Sequence, residues 1–200
     1  MFSFVTKIFL FSTLTVKLFL EKLSNNVELG KLIDKAVFPM CQGGPLENTI
    51  MAKAVAFKED LDESFATYMK NVVRNSQKLA KTLMNLGVKV ITNGTDNHLL
   101  LIDVKSTFGI TGLQAQKILE KCHITTNKNS IPNDTEKPMY CSGLRLGTPA
   151  MTTRGFNEDD FEEVAKIIFD VLTNKDDMTI QKSIVRIKKL TDKHPLSYEK

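Results

Sequence analysis

Residues 127–155, NKNSIPNDTEKPMYCSGLRLGTPAMTTRG, decide how the rest of this chain is interpreted. The stretch combines three prolines and three glycines with small polar residues, so it cannot be a regular helix. Each proline fixes one backbone angle and removes one hydrogen-bond donor. Each glycine permits backbone angles or close approaches that a side chain would prevent. Prolines and glycines at such close spacing predict a structured loop around a short extended run, not a flexible linker.

Arg145 is the candidate binding residue of this stretch. It lies between Leu144 and Leu146 in a short strand-like run. A guanidinium held on a rigid element presents a planar pair of donors that suits a carboxylate or a phosphate. The alternative is an arginine on the solvent face of an edge strand, and the loop chemistry on both sides favours the binding role.

Five segments of the chain carry a resemblance to one enzyme family. They are AVFPMCQGGP from Ala36, NGTDNHLLLIDV from Asn93, NKNSIPND from Asn127, SGLRLGTPA from Ser142 and TTRGF from Thr152. Their order and spacing resemble the carboxy-terminal domain of serine hydroxymethyltransferases, the pyridoxal-phosphate enzymes that move a one-carbon unit between serine and tetrahydrofolate. The resemblance runs from about Val27 to the end of the chain. It implies an α/β fold of the fold-type I, aminotransferase-like class.

The resemblance also implies roles for individual residues. Arg145 is expected to bind the α-carboxylate of serine or glycine through paired N–H donors. Asn129 is expected to contact the pterin ring of the folate, because its amide both donates and accepts hydrogen bonds. Residues 130–138 would shape the mouth of the pocket. Gly43 and Gly44 are expected to bind the phosphate of the pyridoxal-phosphate cofactor of a neighbouring subunit, which implies a homo-oligomer such as a dimer.

Two further positions bear on these roles. Glycines before a helix expose backbone N–H groups to an anion, although a plain turn can have the same sequence as the Gly43–Gly44 pair. Asn48, where this turn enters the helix, stands where the family often has histidine, which favours a modified or weakened site. Lys128 either adds positive charge toward the folate or carboxylate or is an ordinary surface lysine, and neither interpretation is favoured.

The sequence lacks the lysine that a pyridoxal-phosphate enzyme needs. Such enzymes hold the cofactor through a lysine and place an acid at its pyridine nitrogen. In the resembled family the lysine lies in a THK-type motif, and no THK occurs in this chain. We therefore expect no catalytic residue here and an incomplete site in the chain alone.

Three hypotheses follow for the function. The first is a carboxy-terminal piece of serine hydroxymethyltransferase that is active only as part of a fuller chain. The second is a non-catalytic binding or regulatory module that pairs with full-length subunits. A different pyridoxal-phosphate enzyme of fold-type I fits the motifs less well.

Composition limits the other classes of function. The chain has 200 residues, 42% of them hydrophobic, which suffices for one or two small domains with a real core. The net charge of +4 comes from scattered lysines, without the aromatic-interleaved basic cluster that would indicate nucleic-acid binding. Three cysteines without metal-like spacing argue against a disulfide framework or a metal site. They favour a reducing compartment, which we expect to be the cytoplasm, with mitochondria as the alternative.

Residues 1–26 are expected to form a separate amino-terminal stretch. Its first 20 residues are mostly apolar and contain no acid. A secretory signal requires a cleavage site, which this stretch does not clearly supply, and an organelle presequence would normally carry arginine, which it lacks. A membrane span would have to include Lys7 and Lys17. A truncated or misjoined reading frame is therefore the favoured interpretation.

The remaining chain is expected to form two regions. Residues 27–86 should hold a short helix at 28–35, the glycine turn and a helix-rich segment over 55–86, with Gly87 as the cap that ends it. Residues 87–200 should form a small α/β domain with helices on one face of its sheet. His98, Asp96 and Asn97 are assigned structural or turn-forming roles and no part in chemistry. The expected strands are 88–91, 98–104, 122–126 and 144–146, and the expected helices are 112–121, 157–174 and 178–191.

Overall fold

A computed structural model of the protein describes residues 27–196. The chain divides after Phe65 into two compact units. The predictions for residues 1–26 lie outside the described residues.

In the first unit, the described residues 27–65 form helices and turns. Helix α1 spans Val27–Lys35, and helix α2 spans Glu47–Glu59. Between them, Ala36–Cys41 forms an irregular turn in which Phe38 is extended, with φ −134° and ψ 124°. None of the described residues of these elements is buried. The helix predicted at 28–35 is confirmed.

Helix α3 spans Glu63–Asn85 and begins in the first unit. The helix-rich segment predicted over 55–86 is confirmed, and residues 60–62 form a turn between α2 and α3. The carboxylate of Asp62 accepts a hydrogen bond from the Ser64 N–H at 2.8 Å and so starts the new helix. Gly87 has a φ of 86°, which confirms it as the residue that ends α3.

The second unit is built on a three-stranded antiparallel sheet. Strand β1 spans Leu99–Asp103, strand β2 spans Asn127–Asn129, and strand β3 spans Gly143–Gly147. The order is β1-β3-β2, so β3 lies in the centre. Arg145 is therefore on a central strand, which removes the alternative of an arginine on an edge strand.

Two of the predicted strands are wrong. Residues 122–126 instead close the helix that precedes them, since the N–H groups of Cys122 and Ile124 both donate to Leu119 and His123 has a φ of 61°. The strand in this part of the chain is β2, which begins directly after residue 126. The predicted strand at 88–91 is reduced to one antiparallel bridge between Val90 and Ile102.

The sheet buries one face against helices. Leu100 pairs with Leu146 and Ile102 pairs with Leu144, and all four side chains are buried. Because side chains alternate along a strand, Arg145 projects from the opposite face. The helices contribute most of the remaining core, which includes Leu79, Leu83, Ala115, Leu119, Phe161, Ala165, Ile168 and Leu172.

The other helices follow the sequence closely. Helices α4 (Val104–Phe108), α5 (Gly112–Lys121), α6 (Pro149–Arg154), α7 (Glu158–Asn174) and α8 (Asp177–Lys193) complete the unit. Thr111 begins α5 and Asn157 begins α7, each in a reciprocal capping box. The predictions for α5, α7 and α8 are confirmed to within a few residues, whereas α4 and α6 were not predicted. No helix in residues 27–196 is long and apolar enough to cross a membrane.

Candidate functional site

Arg145 projects from one face of the central strand of the sheet. Its backbone lies between Leu101 of β1 and Asn127 of β2. Its side chain is exposed, while Leu144 and Leu146 on either side are buried. Among the residues that the structure describes, none accepts a hydrogen bond from this guanidinium or forms an ion pair with it. A rigid strand thus presents an unpaired planar cation, which can receive a carboxylate in a two-pronged geometry.

Asn129 lies on the same face of the sheet as Arg145. In the β2–β3 register, Asn129 is opposite Gly143 and Asn127 is opposite Arg145. Asn129 and Arg145 are therefore diagonal neighbours, a relation that places such residues about 7–8 Å apart. The Asn129 amide nitrogen donates to the Ser130 carbonyl at 2.7 Å. Its amide oxygen accepts no hydrogen bond from the described chain, so it can receive one from a ligand.

The loop between β2 and β3 begins with a tight turn. Asp134 donates its N–H to the Ile131 carbonyl at 3.1 Å, and Asn133 has a φ of 56°. Proline at the second position and a positive φ at the third are typical of a type II turn. The turn directs the Asp134 side chain back toward both ends of the loop.

The Asp134 carboxylate accepts four hydrogen bonds. One oxygen receives the N–H groups of Ile131 at 3.2 Å and Ser142 at 2.9 Å. The other receives the Glu136 N–H at 2.9 Å and the Ser142 hydroxyl at 2.6 Å. Desolvation raises the pKa of Asp134, but these donors outweigh it and lower the pKa to about 2. The sequence analysis missed this residue, although an aspartate after Pro-Asn is a known turn signature.

Gly143 is required by the packing of this loop on the sheet. A Cβ at residue 143 would lie 2.5 Å from Cγ2 of Ile131 and 2.7 Å from the Asn129 carbonyl oxygen. Only glycine lets the loop approach β3 so closely. The loop and the strand that carries Arg145 are therefore packed directly on each other.

The backbone of Val72 and the side chain of Asn75, both on α3, anchor the chain that leaves β3. The Thr148 hydroxyl donates to the Val72 carbonyl at 2.9 Å. The buried amide of Asn75 donates to the Thr152 hydroxyl at 2.9 Å and to the Phe156 carbonyl at 3.1 Å. These contacts give the SGLRLGTPA and TTRGF segments a structural role that sequence reasoning did not assign.

The second arginine of the stretch differs from Arg145. Arg154 donates to the carbonyls of Thr191, at 3.0 Å, and His194 at the end of α8. The Thr191 carbonyl also accepts the His194 N–H at 3.2 Å, and the guanidinium adds further donors at this helix end. Arg154 is therefore a structural residue, and Arg145 is the arginine left for a ligand.

Gly43 and Gly44 lie in the first unit, between the turn at Ala36–Cys41 and helix α2. Neither has a positive φ, and a Cβ at either position would meet no atom within 4 Å. The described chain itself therefore does not require glycine there. Asn48 is in the first turn of α2 and is exposed.

Metal chemistry has no candidate site in residues 27–196. No group of three or more histidine, cysteine, aspartate or glutamate residues in this range could hold a metal ion. Cys41, Cys122 and Cys141 are free thiols, the first exposed and the other two buried.

One comparison with known families bears on this site. The sequence model described as serine hydroxymethyltransferase matches residues 9–168 of the 200-residue chain. The match begins before Val27, where the resemblance was predicted to start, and ends within α7. It includes the glycine turn, all three strands, and the loop that carries Asp134. Because it covers well over half of the sequence, the chain belongs to the serine hydroxymethyltransferase family.

Proposed function

We propose that this chain forms the carboxy-terminal wall of a serine hydroxymethyltransferase site. In the full reaction, serine and tetrahydrofolate are interconverted with glycine and methylenetetrahydrofolate. The observation that carries the proposal is the unpaired guanidinium of Arg145 on the central strand, with Asn129 on the same face of the sheet.

Arg145 would bind the α-carboxylate of the amino acid. Two parallel N–H donors fix both the position and the plane of the carboxylate. The register gives the side chain a rigid base, since β3 is hydrogen-bonded on both edges. Substrate binding would therefore require no rearrangement of the strand.

Asn129 would contact the pterin ring of the folate. A pterin edge presents donors and acceptors side by side, and an amide can pair with both kinds. The free amide oxygen of Asn129 supplies the acceptor in the described chain. Amino acid and folate would then lie side by side on one face of the sheet, which is where a one-carbon unit must pass between them.

Pyridoxal phosphate would supply the electron sink for the reaction when bound. Gly43 and Gly44 would hold its phosphate in a neighbouring subunit, through backbone N–H groups that precede α2. The absence of any internal requirement for glycine at these positions supports a site that another chain completes. The cofactor lysine would come from a fuller chain or another subunit, since this sequence has no THK motif.

The test supplies the missing lysine. Residues 27–200 are grafted onto the large domain of a full-length family member, and turnover of serine with tetrahydrofolate is measured. Arg145→Ala should lower kcat/KM for serine by tens- to thousands-fold, from a loss of roughly 2–5 kcal/mol for an unpaired charge partner. Arg145→Lys should also fall well below the parent, because it keeps the charge but loses the planar fork.

The matched control is Arg74→Ala, which removes an exposed arginine on α3. Its kcat/KM should stay close to that of the parent hybrid. An inactive parent hybrid, or equal turnover in Arg145→Ala and Arg74→Ala, would contradict the proposal.

A further inference from the structure

We infer that Asp134 is a positioning residue of this site, which holds the 130–138 loop against β3 and thereby sets Asn129 and Arg145 relative to each other. The inference rests on the proposed function for the identity of the ligands. Its geometric part stands on the contacts of Asp134 alone.

Asp134 joins the two ends of the loop. Ile131, which donates to its carboxylate, is two residues beyond Asn129. Ser142, which donates both its N–H and its hydroxyl, is three residues before Arg145. One side chain therefore ties the exit of β2 to the entrance of β3.

The Ser142 end of this connection is fixed independently. Ser142 is buried, and its carbonyl accepts the N–H groups of Val104 at 3.1 Å and Lys105 at 3.2 Å, in the first turn of α4. Lys105 also forms an ion pair with Glu136 in the loop. Asp134 thus connects the loop to a point that α4 already holds.

The loop that Asp134 holds faces the ligand side of the sheet. Ile131, the Asn129 carbonyl and Leu101 converge on the position where a side chain of residue 143 would stand. Because side chains alternate along a strand, residues 143 and 145 lie on the same face. Movement of Ile131 therefore changes the face that carries the Arg145 guanidinium, and it also shifts Asn129 through the short connection between them.

Only a carboxylate suits this position. All four partners of Asp134 are N–H or O–H donors, and each oxygen accepts two of them. In Asp134→Asn, the amide nitrogen replaces one oxygen and faces either two N–H groups or one N–H and the hydroxyl. At least one partly buried N–H then loses its acceptor, which drives the loop from its place.

The experiment uses the full 200-residue chain, labelled with ¹⁵N. The side-chain amide signals of Asn129 and the Nε–H signal of Arg145 are followed without ligand and during titration with serine and with 5-formyltetrahydrofolate. Asp134→Asn should shift both sets of signals. It should also weaken the binding of serine and of 5-formyltetrahydrofolate by about tenfold, the equivalent of one positioned hydrogen bond.

Asp176→Asn is the matched control. The Asp176 carboxylate also accepts a backbone N–H and a hydroxyl, both from Thr179, at 2.9 and 2.8 Å. It begins α8 and contacts neither the loop nor β3 in the described structure. This variant should lose stability without shifting the Asn129 or Arg145 signals.

Each outcome decides the inference. Signals at Asn129 and Arg145 that stay in place in Asp134→Asn would overturn it, even if stability falls. If the wild-type chain binds neither probe, the ligand-free signals still decide the role of Asp134, and the turnover of the hybrid enzyme decides the proposed function. If Asp134→Asn does not fold, Ser142→Ala replaces it, because that variant removes only the 2.6 Å hydroxyl contact. Unchanged signals in Ser142→Ala would then overturn the inference, and a smaller shift of the same signals would support it.

Discussion

Gly112, in the first turn of α5, packs directly on the main chain of Gly143 in β3. A Cβ at residue 112 would lie well within 3.0 Å of the Gly143 carbonyl oxygen, closer than real Cβ atoms approach. The Gly112 N–H also donates to the Cys141 carbonyl at 2.8 Å. This close approach fixes the strand that carries Arg145 against a helix.

Gly112→Ala should therefore destabilise the fold. The added methyl meets backbone that cannot rotate away, so we expect a loss of about 1–3 kcal/mol, as for other overpacked sites. Urea unfolding measures the loss. Gly30→Ala is the control, because it also adds one methyl in a helix but meets no atom within 4 Å. Equal unfolding midpoints for the two variants would show that the contact between α5 and β3 is not tight.

Asn75 should be the most sensitive polar residue of α3. It is buried, and its amide donates to both the Thr152 hydroxyl and the Phe156 carbonyl. Asn75→Ala leaves these acceptors without a donor, so we expect a loss of about 1–3 kcal/mol in the free energy of unfolding. Asn71→Ala, at an exposed position one turn earlier, should change stability by less than about 0.5 kcal/mol. Similar losses for both would mean that water replaces the Asn75 contacts.

The sequence predicted those parts of the fold that local chemistry controls. Thr111 and Asn157 begin their helices through capping boxes, which are readable in the sequence because the partner is three residues away. Gly87 ends α3 for an equally local reason. The apolar residues on both sides of Arg145 predicted the short extended run that forms β3.

The errors come from contacts that are distant in the sequence. Residues 122–126 have the composition of a strand, yet the left-handed turn at His123 keeps them in the end of α5. Strand β2 has only three polar residues and exists because β3 lies beside it. Asp134 was missed for the same reason, since its main partner, Ser142, is eight residues away.

Arg145 should contribute little to stability. Its side chain is exposed and has no partner among the described residues, so its removal leaves no buried group without a hydrogen bond. Arg145→Ala should change the free energy of unfolding by less than about 0.5 kcal/mol, as at other free surface positions. Thermal or urea unfolding of the chain tests this. A much larger loss would make Arg145 a structural residue and would weaken the carboxylate assignment.

The chain should form no specific covalent adduct with pyridoxal phosphate. The sequence has no lysine in a THK motif, so no lysine is held in the context that the family uses. We expect borohydride treatment after incubation with the cofactor to leave only low labelling spread over surface lysines. Peptide mass spectrometry locates the label. Stoichiometric label on one lysine would contradict this prediction and would identify a complete cofactor site.

Asp160 ties the end of α8 to the start of α7. Its buried carboxylate accepts hydrogen bonds from Lys193 at 2.8 Å and from the Asn157 N–H at 3.0 Å, and it lies 2.9 Å from the His194 ring. Desolvation raises the pKa of Asp160, but these partners outweigh it, and the net pKa lies below its ordinary value of 3.8. The ionised carboxylate is therefore the form that stabilises the fold.

Stability measured against pH should show this contribution and its sign. A carboxyl whose pKa is lower in the folded state stabilises the fold above its unfolded pKa, and that contribution is lost as the pH falls through the folded value. Asp160→Asn should thus cost about 1–3 kcal/mol near pH 5, and the difference from wild type should shrink below about pH 4. Urea unfolding of both proteins over this range measures it. A difference that stays constant with pH would show that Asp160 acts through its shape and not through its charge.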